Sequence, residues 1–319
     1  MTVDTFKNSV DAIIADCIGI KMFFVDTNAN LKDSDVDNQA LTRLKASVAA
    51  KLKTSIVEND SLTLPLLSNA DDRKNALYEF DFDDKPLEFN LLDQALAQRI
   101  NATTTYNIGD GSFNDISAII IVLTGRNNET ITLYKHQYTV SVLHAQQGAL
   151  NLFSSNNRLS ELDSNILKID PNYVFLKLSD KFYVENVKTL ETYLGFHDVI
   201  KHSATECVDT LADLDLIEDT QPMKLRVDSE DMAFSRKLAK VARNSPVMGL
   251  VENSDIISFA RKHNYLSQNL KLNDNGDKFV LATKKSQNHF IKLMSDDYLE
   301  SELTKIQYDS LAKDKISAE

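Results

Sequence analysis

The spacing of apolar residues changes period repeatedly over the first part of the chain. Val10, Ile13, Ile14 and Cys17 recur at helical intervals and predict a helix over Asp4–Cys17, followed by a strand over Ile18–Val25 and a turn at Asp26–Asn30. Leu41, Leu44, Val48 and Leu52 predict a longer helix over Asp37–Lys53, whose polar side carries Arg43, Lys45, Lys51 and Lys53. Phe80 to Asp84 alternates apolar with acidic residues, and Phe89–Ile100 reads as a short helix. Strands are expected at Ser117–Thr124, Glu129–His136, Tyr138–Leu143, Ile166–Ile169, Tyr173–Leu178 and Lys181–Glu185. Polar turns separate several of them: Arg126-Asn127-Asn128, Asp170-Pro171-Asn172 and Ser179-Asp180. The pattern is that of an α/β (α+β) domain built around a largely antiparallel sheet.

From Val187 onward the period becomes helical. Thr189–Phe196, Ala204–Leu216, Asp231–Arg243 and Ser254–His263 each repeat apolar residues every three or four positions. Leu270–Asn273 and Phe279–Thr283 then flank Asp274-Asn275-Gly276-Asp277, and Asn-Gly between apolar runs is a strong hairpin signal. Helix, helix and hairpin in this order suggest a winged-helix-like unit. The expected organisation is therefore an α/β domain over residues 1–186 and a mainly helical region over 187–319.

Composition narrows the class. The 319 residues are 43% hydrophobic and 26% charged, which is ordinary for folded globular chains and unlike disordered or collagenous ones. The longest apolar stretch, Ile116–Leu123, is far shorter than the roughly 20 residues that span a bilayer. Met1–Val10 has neither the basic start nor the apolar run of a secretory signal, so a cytoplasmic protein is expected. Cys17 and Cys207 form no C-x-x-C pair and read as small buried hydrophobes.

Charge changes the picture more. The net charge of −12 argues against a polyanion binder, yet it is unevenly distributed. Residues 1–110 and 111–223 each carry net −7 and residues 293–319 carry −4, whereas residues 224–292 hold thirteen Lys and Arg against seven Asp and Glu, net +6. A basic segment inside an acidic chain points to a polyanion-binding face or to a merely solvated one. On a helix over Phe234–Arg243, Arg236, Lys240 and Arg243 share one side while Phe234, Leu238, Val241 and Ala242 lie opposite. Cations one turn apart suit contacts to successive phosphates. Lys237 stands at the margin of that side, and Arg261, Lys262, Lys278, Lys284 and Lys285 are the further candidates for DNA binding. Arg261 and Lys262 also suit the end of a helix through its dipole.

Other chemistries find little support. Asp33, Asp35 and Asp37 begin like a calcium loop, but Asn38 stands where Gly is needed and Leu44 where the bidentate Glu belongs. His197 and His202 lack the spacing of a zinc protease helix. Gly109-Asp110-Gly111 has no third Gly at Asn114 and reads as a turn. No Ser sits in a nucleophile elbow and neither Cys has an activating neighbourhood. Asp170 and Lys181, conceivable members of a metal-dependent nuclease site, read better as turn residues. No catalytic residue, metal or cofactor is therefore expected.

The run from Phe290 through Asp296, Asp297 and Tyr298 to Thr304, followed by Tyr308 and Lys313, resembles the KwaB family, the soluble component of the Kiwa anti-phage defence system. Tyr134 to Tyr138, Phe182 to Asn186 and on to Phe196, and Arg236 to Lys240 extend the likeness over most of residues 130–315. The resemblance implies a DNA-binding effector that assembles with a KwaA-like membrane protein and restrains phage DNA replication or late gene expression, and the cation pattern adds the expectation of backbone contacts without base specificity. The resemblance implies no chemistry and carries over no active-site residue. A cytoplasmic protein held at the inner membrane by its partner fits this role, and a homodimer or higher homo-oligomer would align two basic faces. A defence nuclease and a protein- or lipid-docking module remain the alternatives. Asp296, Asp297 and Tyr298 are expected to start a C-terminal helix, with the aspartates favoured by its dipole.

Overall fold

The computed structural model describes residues 1–70, 74–98, 104–106, 113–138, 141–143, 152–155, 158–161, 165–300 and 307–309. Gly109-Asp110-Gly111 lies outside them. The chain divides into two compact units, Met1–Gly195 and Phe196–Glu319.

The first unit runs α1 (Val3–Ala15), β1 (Gly19–Asp26), β2 (Leu31–Asp33), α2 (Asn38–Leu52), β3 (Tyr78–Glu79), α3 (Leu87–Gln98), β4 (Ile116–Thr124) and β5 (Thr130–His136). Short strands β6 (Val142–Leu143), β7 (Leu152–Ser155), β8 (Arg158–Glu161) and β9 (Ile166–Leu167) follow, then β10 (Phe175–Leu178), β11 (Lys181–Val184) and α4 (Val187–Tyr193). Seven strands form one antiparallel sheet in the order β2-β1-β4-β5-β10-β11-β3. β4 lies inside it between β1 and β5, with Ala118 to Leu123 all buried, which is why that run lacks alternation. Phe6, Val10 and Ile13 of α1 and Val48 and Leu52 of α2 close the core together with Ile119, Ile121 and Leu123. Thr2 caps α1 and Asp37 caps α2, each accepting from backbone N–H groups of the first turn. The end of α2 loosens into a π-helical turn, Lys53–Val57.

Two ion pairs of this unit tie its strands and turns together. Asp170 accepts from Lys135 Nζ at 2.8 Å and from the Asn172 N–H at 2.9 Å. Those hydrogen bonds outweigh burial and hold its carboxyl below the usual range. Lys181 pairs with Glu79 of β3. The turn reading of Asp170 therefore acquires a physical reason, since its side chain closes its own Asx turn. Cys17 is only half-buried, its thiol directed at the Gly19 carbonyl, which departs from the expectation of a buried residue. Cys207 is buried, and desolvation pushes its thiol up to about 12.

The second unit contains α5 (Phe196–Asp213), α6 (Gln221–Asp228), α7 (Met232–Asn244), α8 (Asn253–Lys262) and α9 (Asn264–Asn269). They are followed by β12 (Lys271–Leu272), β13 (Phe279–Val280), α10 (Lys284–Met294), β14 (Tyr298–Glu300) and β15 (Gln307–Asp309); the numbering of strands continues across both units, β10 and β11 being the last of the first. α5 packs along α7, and Cys207, Val208, Leu211, Leu238, Val241, Phe279 and Phe290 share the core. The expected hairpin is present, with Gly276 at φ +74° and the Asn273 side chain accepting from the N–H groups of Asp277 and Lys278. It is joined to Ile217 by a single parallel bridge through Phe279.

Three differences from the sequence pattern stand out in this unit. α5 begins at Phe196 rather than Ala204, because Val199 and Ile200 are also buried. α6, α9 and α10 were not anticipated as separate helices. Tyr298 opens β14 and does not start a helix: α10 already ends at Met294, and Asp296 adopts φ +54°, which turns the chain into the strand. Tyr298 is buried, and its hydroxyl shares a 2.7 Å hydrogen bond with His289 Nδ1.

Candidate nucleic-acid interface

The second unit positions its cations through α7. Asp231 caps this helix by accepting from the Phe234 N–H at 3.2 Å. Phe234, Ser235, Leu238, Ala239 and Val241 are buried, so the opposite side is obliged to face outward. Arg236 and Lys237 are exposed, and Lys240 and Arg243 lie half-buried at the edge of that side. Among the described residues Lys237 and Lys240 make no ion pair. Arg243 stands in the last turn, where the helix dipole favours a cation.

The start of α10 lies beside the start of α7. Arg226 of α6 donates from Nε to Asp231 at 2.8 Å and from Nη1 to the Lys284 carbonyl at 3.3 Å, so one guanidinium ties three helices together. Lys284 Nζ approaches Asp231 at 4.0 Å with its side chain 75% exposed. Lys284 and Lys285 occupy the first turn of α10, after a capping box formed by Thr283 and Ser286. A helix N-terminus disfavours cations by about 0.3–1 kcal/mol. Two lysines there raise the local positive potential where a phosphate would be held by both the dipole and the ammonium groups.

A second group surrounds the hairpin. Arg261 of α8 donates from Nη2 to the Gly276 carbonyl at 2.6 Å, which brings it against the turn. Lys262 is exposed. Lys278 is held by Asp215, and that hydrogen bond raises the Lys278 pKa above its ordinary value. The nine candidate residues thus divide into Arg236, Lys237, Lys240, Arg243, Lys284 and Lys285 around α7 and α10, and Arg261, Lys262 and Lys278 around α8 and the hairpin.

In the sequence Arg226 is only one of the thirteen basic residues of segment 224–292. The structure makes it the organiser of the α7 entry, since its guanidinium also lies 3.9 Å from the Phe234 ring centroid. Arg226 and Asp231 are five positions apart and belong to different helices, so no helical spacing marks the pair. Among the described residues no three His, Cys, Asp or Glu side chains converge as a metal site would require, and no helix is long and apolar enough to cross a membrane.

These features define a two-unit α/β protein with a seven-stranded antiparallel sheet and a helical unit that displays the cations. The family model described as Kiwa protein KwaB-like matches residues 114–304. The Kiwa protein KwaB of Escherichia coli O55:H7 (strain RM12579 / EPEC) is 42% identical over 317 residues, covering 99% of each chain. The chain belongs to the KwaB family. No solved structure matches it.

Proposed function

We propose that this chain is a DNA-binding effector of Kiwa anti-phage defence, holding the nucleic-acid backbone without base specificity. Family membership ties it to that defence. The observation that supports DNA binding is the outward side of α7, with Arg236, Lys237 and Lys240 one turn or less apart on a helix whose other side is locked in the core. Phosphate contacts of this kind position a protein on DNA and carry no sequence information. The remaining cations around α10 and the hairpin extend the footprint, while the acidic remainder repels DNA and confines contact to the second unit.

In this reading a KwaA-like membrane protein recruits the effector to the inner membrane, and DNA held there is restrained from replication or late gene expression. Self-association as a dimer or higher homo-oligomer would double the basic face and offset the weak binding expected of an acidic protein. No catalytic group, metal or cofactor enters the proposal.

The test is retention of duplex DNA by the purified chain, with magnesium and with chelator. Salt-dependent retention of intact DNA is the expected result. Cleavage only with magnesium would replace the proposal with a nuclease, and no retention at low salt would redirect the basic face to an acidic protein or an anionic lipid surface.

A further inference from the structure

Two of the large aromatic side chains exposed in the second unit bracket its cations. Phe259 on α8 is 39% exposed and Tyr265 on α9 is 48% exposed, and Arg261 and Lys262 lie between them in the chain. Neither ring is a stray surface residue. Phe259 leans on the buried His263 ring at 5.6 Å, His263 meets the buried Tyr298 ring edge-on at 5.4 Å, and Tyr265 contacts Tyr298 at 6.3 Å and His289 edge-on at 5.3 Å. Both exposed rings are therefore seated on one buried aromatic base of His263, Tyr298 and His289. His263 also accepts from the Leu266 N–H, at 3.4 Å, so the junction that sets Phe259 relative to Tyr265 is part of the same base.

Lys262 follows Phe259 by three positions on α8, so ring and cation share one side of the helix, and half-exposed rings with a cation alongside suit a π-face that carries a phosphate. Asp255, one turn before Phe259 on α8, is the nearby carboxylate on that helix, against the two cations of its last turn. Arg261, two positions after Phe259, faces another side of α8 and donates to the Gly276 carbonyl, which leaves Lys262 as the cation beside the Phe259 ring.

We propose that Phe259 and Tyr265 form a stacking site for unpaired nucleobases, with Lys262 taking an adjoining phosphate, so that the chain holds single-stranded nucleic acid in addition to duplex. The inference rests on the DNA-binding reading and adds to it the strand form and a base-contacting element. Bases paired in a duplex are stacked on each other and cannot reach the rings. Stacking is indifferent to base identity, which keeps the binding free of sequence preference.

The experiment compares the full chain on three labelled probes by fluorescence anisotropy: an oligothymidylate of twenty nucleotides, an abasic phosphodiester strand of the same length, and a twenty-base-pair duplex. Wild type is expected to bind oligothymidylate more tightly than the abasic strand. Phe259→Ala and Tyr265→Ala should each weaken oligothymidylate binding by roughly 5- to 100-fold, leave the abasic strand and the duplex unchanged, and leave the salt slope unchanged because no phosphate contact is lost. Tyr265→Phe keeps the ring and should bind as wild type. The chain has no Trp, so Tyr265→Trp provides a single tryptophan that can be excited selectively over the tyrosines, expected to be quenched by oligothymidylate and not by the abasic strand. Equal binding of oligothymidylate and abasic strand by wild type overturns the proposal while duplex retention leaves the DNA reading standing. Retention of no probe at low salt overturns both.

Discussion

The guanidinium carbon of Arg226 lies 3.9 Å from the ring centroid of Phe234, stacking a cation of α6 on a core aromatic of α7. The side chain of this arginine is only 10% exposed, and its donors serve Asp231, the Lys284 carbonyl, Gln287 and Asn288. Arg226 is thus a structural cation within the basic segment. Arg226→Ala should destabilise the protein by about 2–4 kcal/mol, since it removes the closest charged partner of Asp231 and uncovers Phe234. Thermal or denaturant unfolding would show this, while DNA affinity of the folded variant and its salt slope should stay near wild type. Arg226→Lys should recover little, because an ammonium cannot form the fork or the planar stack.

Asp231 provides a pH dependence with a defined sign. The hydrogen bond from Arg226 is the largest influence on its carboxyl and holds it below the usual carboxylate range. A carboxyl depressed in the folded state contributes stability that is fully present above its unfolded pKa and is lost as pH falls through the folded value. Wild type should therefore be more stable than Asp231→Asn at neutral pH, by about 1–2 kcal/mol for the lost charge-assisted bond to Arg226, since Asn still caps the helix, and the difference should shrink as pH falls through the depressed folded value. Denaturant titrations at pH 7 and pH 3 check it; a gap that persists unchanged in acid would contradict the assignment.

Lys278 and Lys285 separate engaged from available cations. Lys278 is held by Asp215, whereas Lys285 makes no ion pair among the described residues. Lys285→Ala should reduce the magnitude of the salt slope of DNA binding by roughly 0.9, and Lys278→Ala by clearly less. Asp215→Asn should strengthen binding, because it releases Lys278 and removes a repelling charge. Equal slopes for the two lysine variants would show that the pair opens on binding.

Helix α7 predicts a sharp contrast between its two sides. Leu238 is fully buried against α5 and should cost about 2–5 kcal/mol as Leu238→Ala. Lys240→Ala on the other side should change stability by no more than about 0.5 kcal/mol and act instead on DNA affinity. Urea unfolding and a binding titration on the same two variants give the comparison.

How much of this was legible in the sequence depends on where each signal is local. Ile116 to Leu123 announces a central strand by its unbroken apolar run, and the Asn275-Gly276 turn announces the hairpin, because both are set by neighbours in the chain. α7 was legible for the same reason, its apolar residues falling on one side of a single helix. α6 was not, since only Met223 and Val227 are buried and Leu225 is 66% exposed, leaving too weak a stripe to read. Aspartates before an aromatic mimic a helix start at Tyr298, whereas the left-handed turn at Asp296 and the bond to His289 are decided by tertiary contacts. The spacing of Arg236, Lys240 and Arg243 located the candidate interface, but the capture of Lys278 by Asp215 and of Arg226 by α10 joins residues about sixty positions apart, beyond the reach of any local pattern.

The central claim is that α7 presents phosphate-binding cations. Its most direct test is the salt dependence of duplex-DNA affinity for wild type beside Arg236→Ala with Lys240→Ala. The account predicts a folded double variant that binds more weakly and whose slope of log affinity against log salt is smaller in magnitude by roughly 1.8, two phosphate contacts at about 0.9 each. An unchanged affinity and slope in a folded double variant would mean that this side of α7 is only solvated surface.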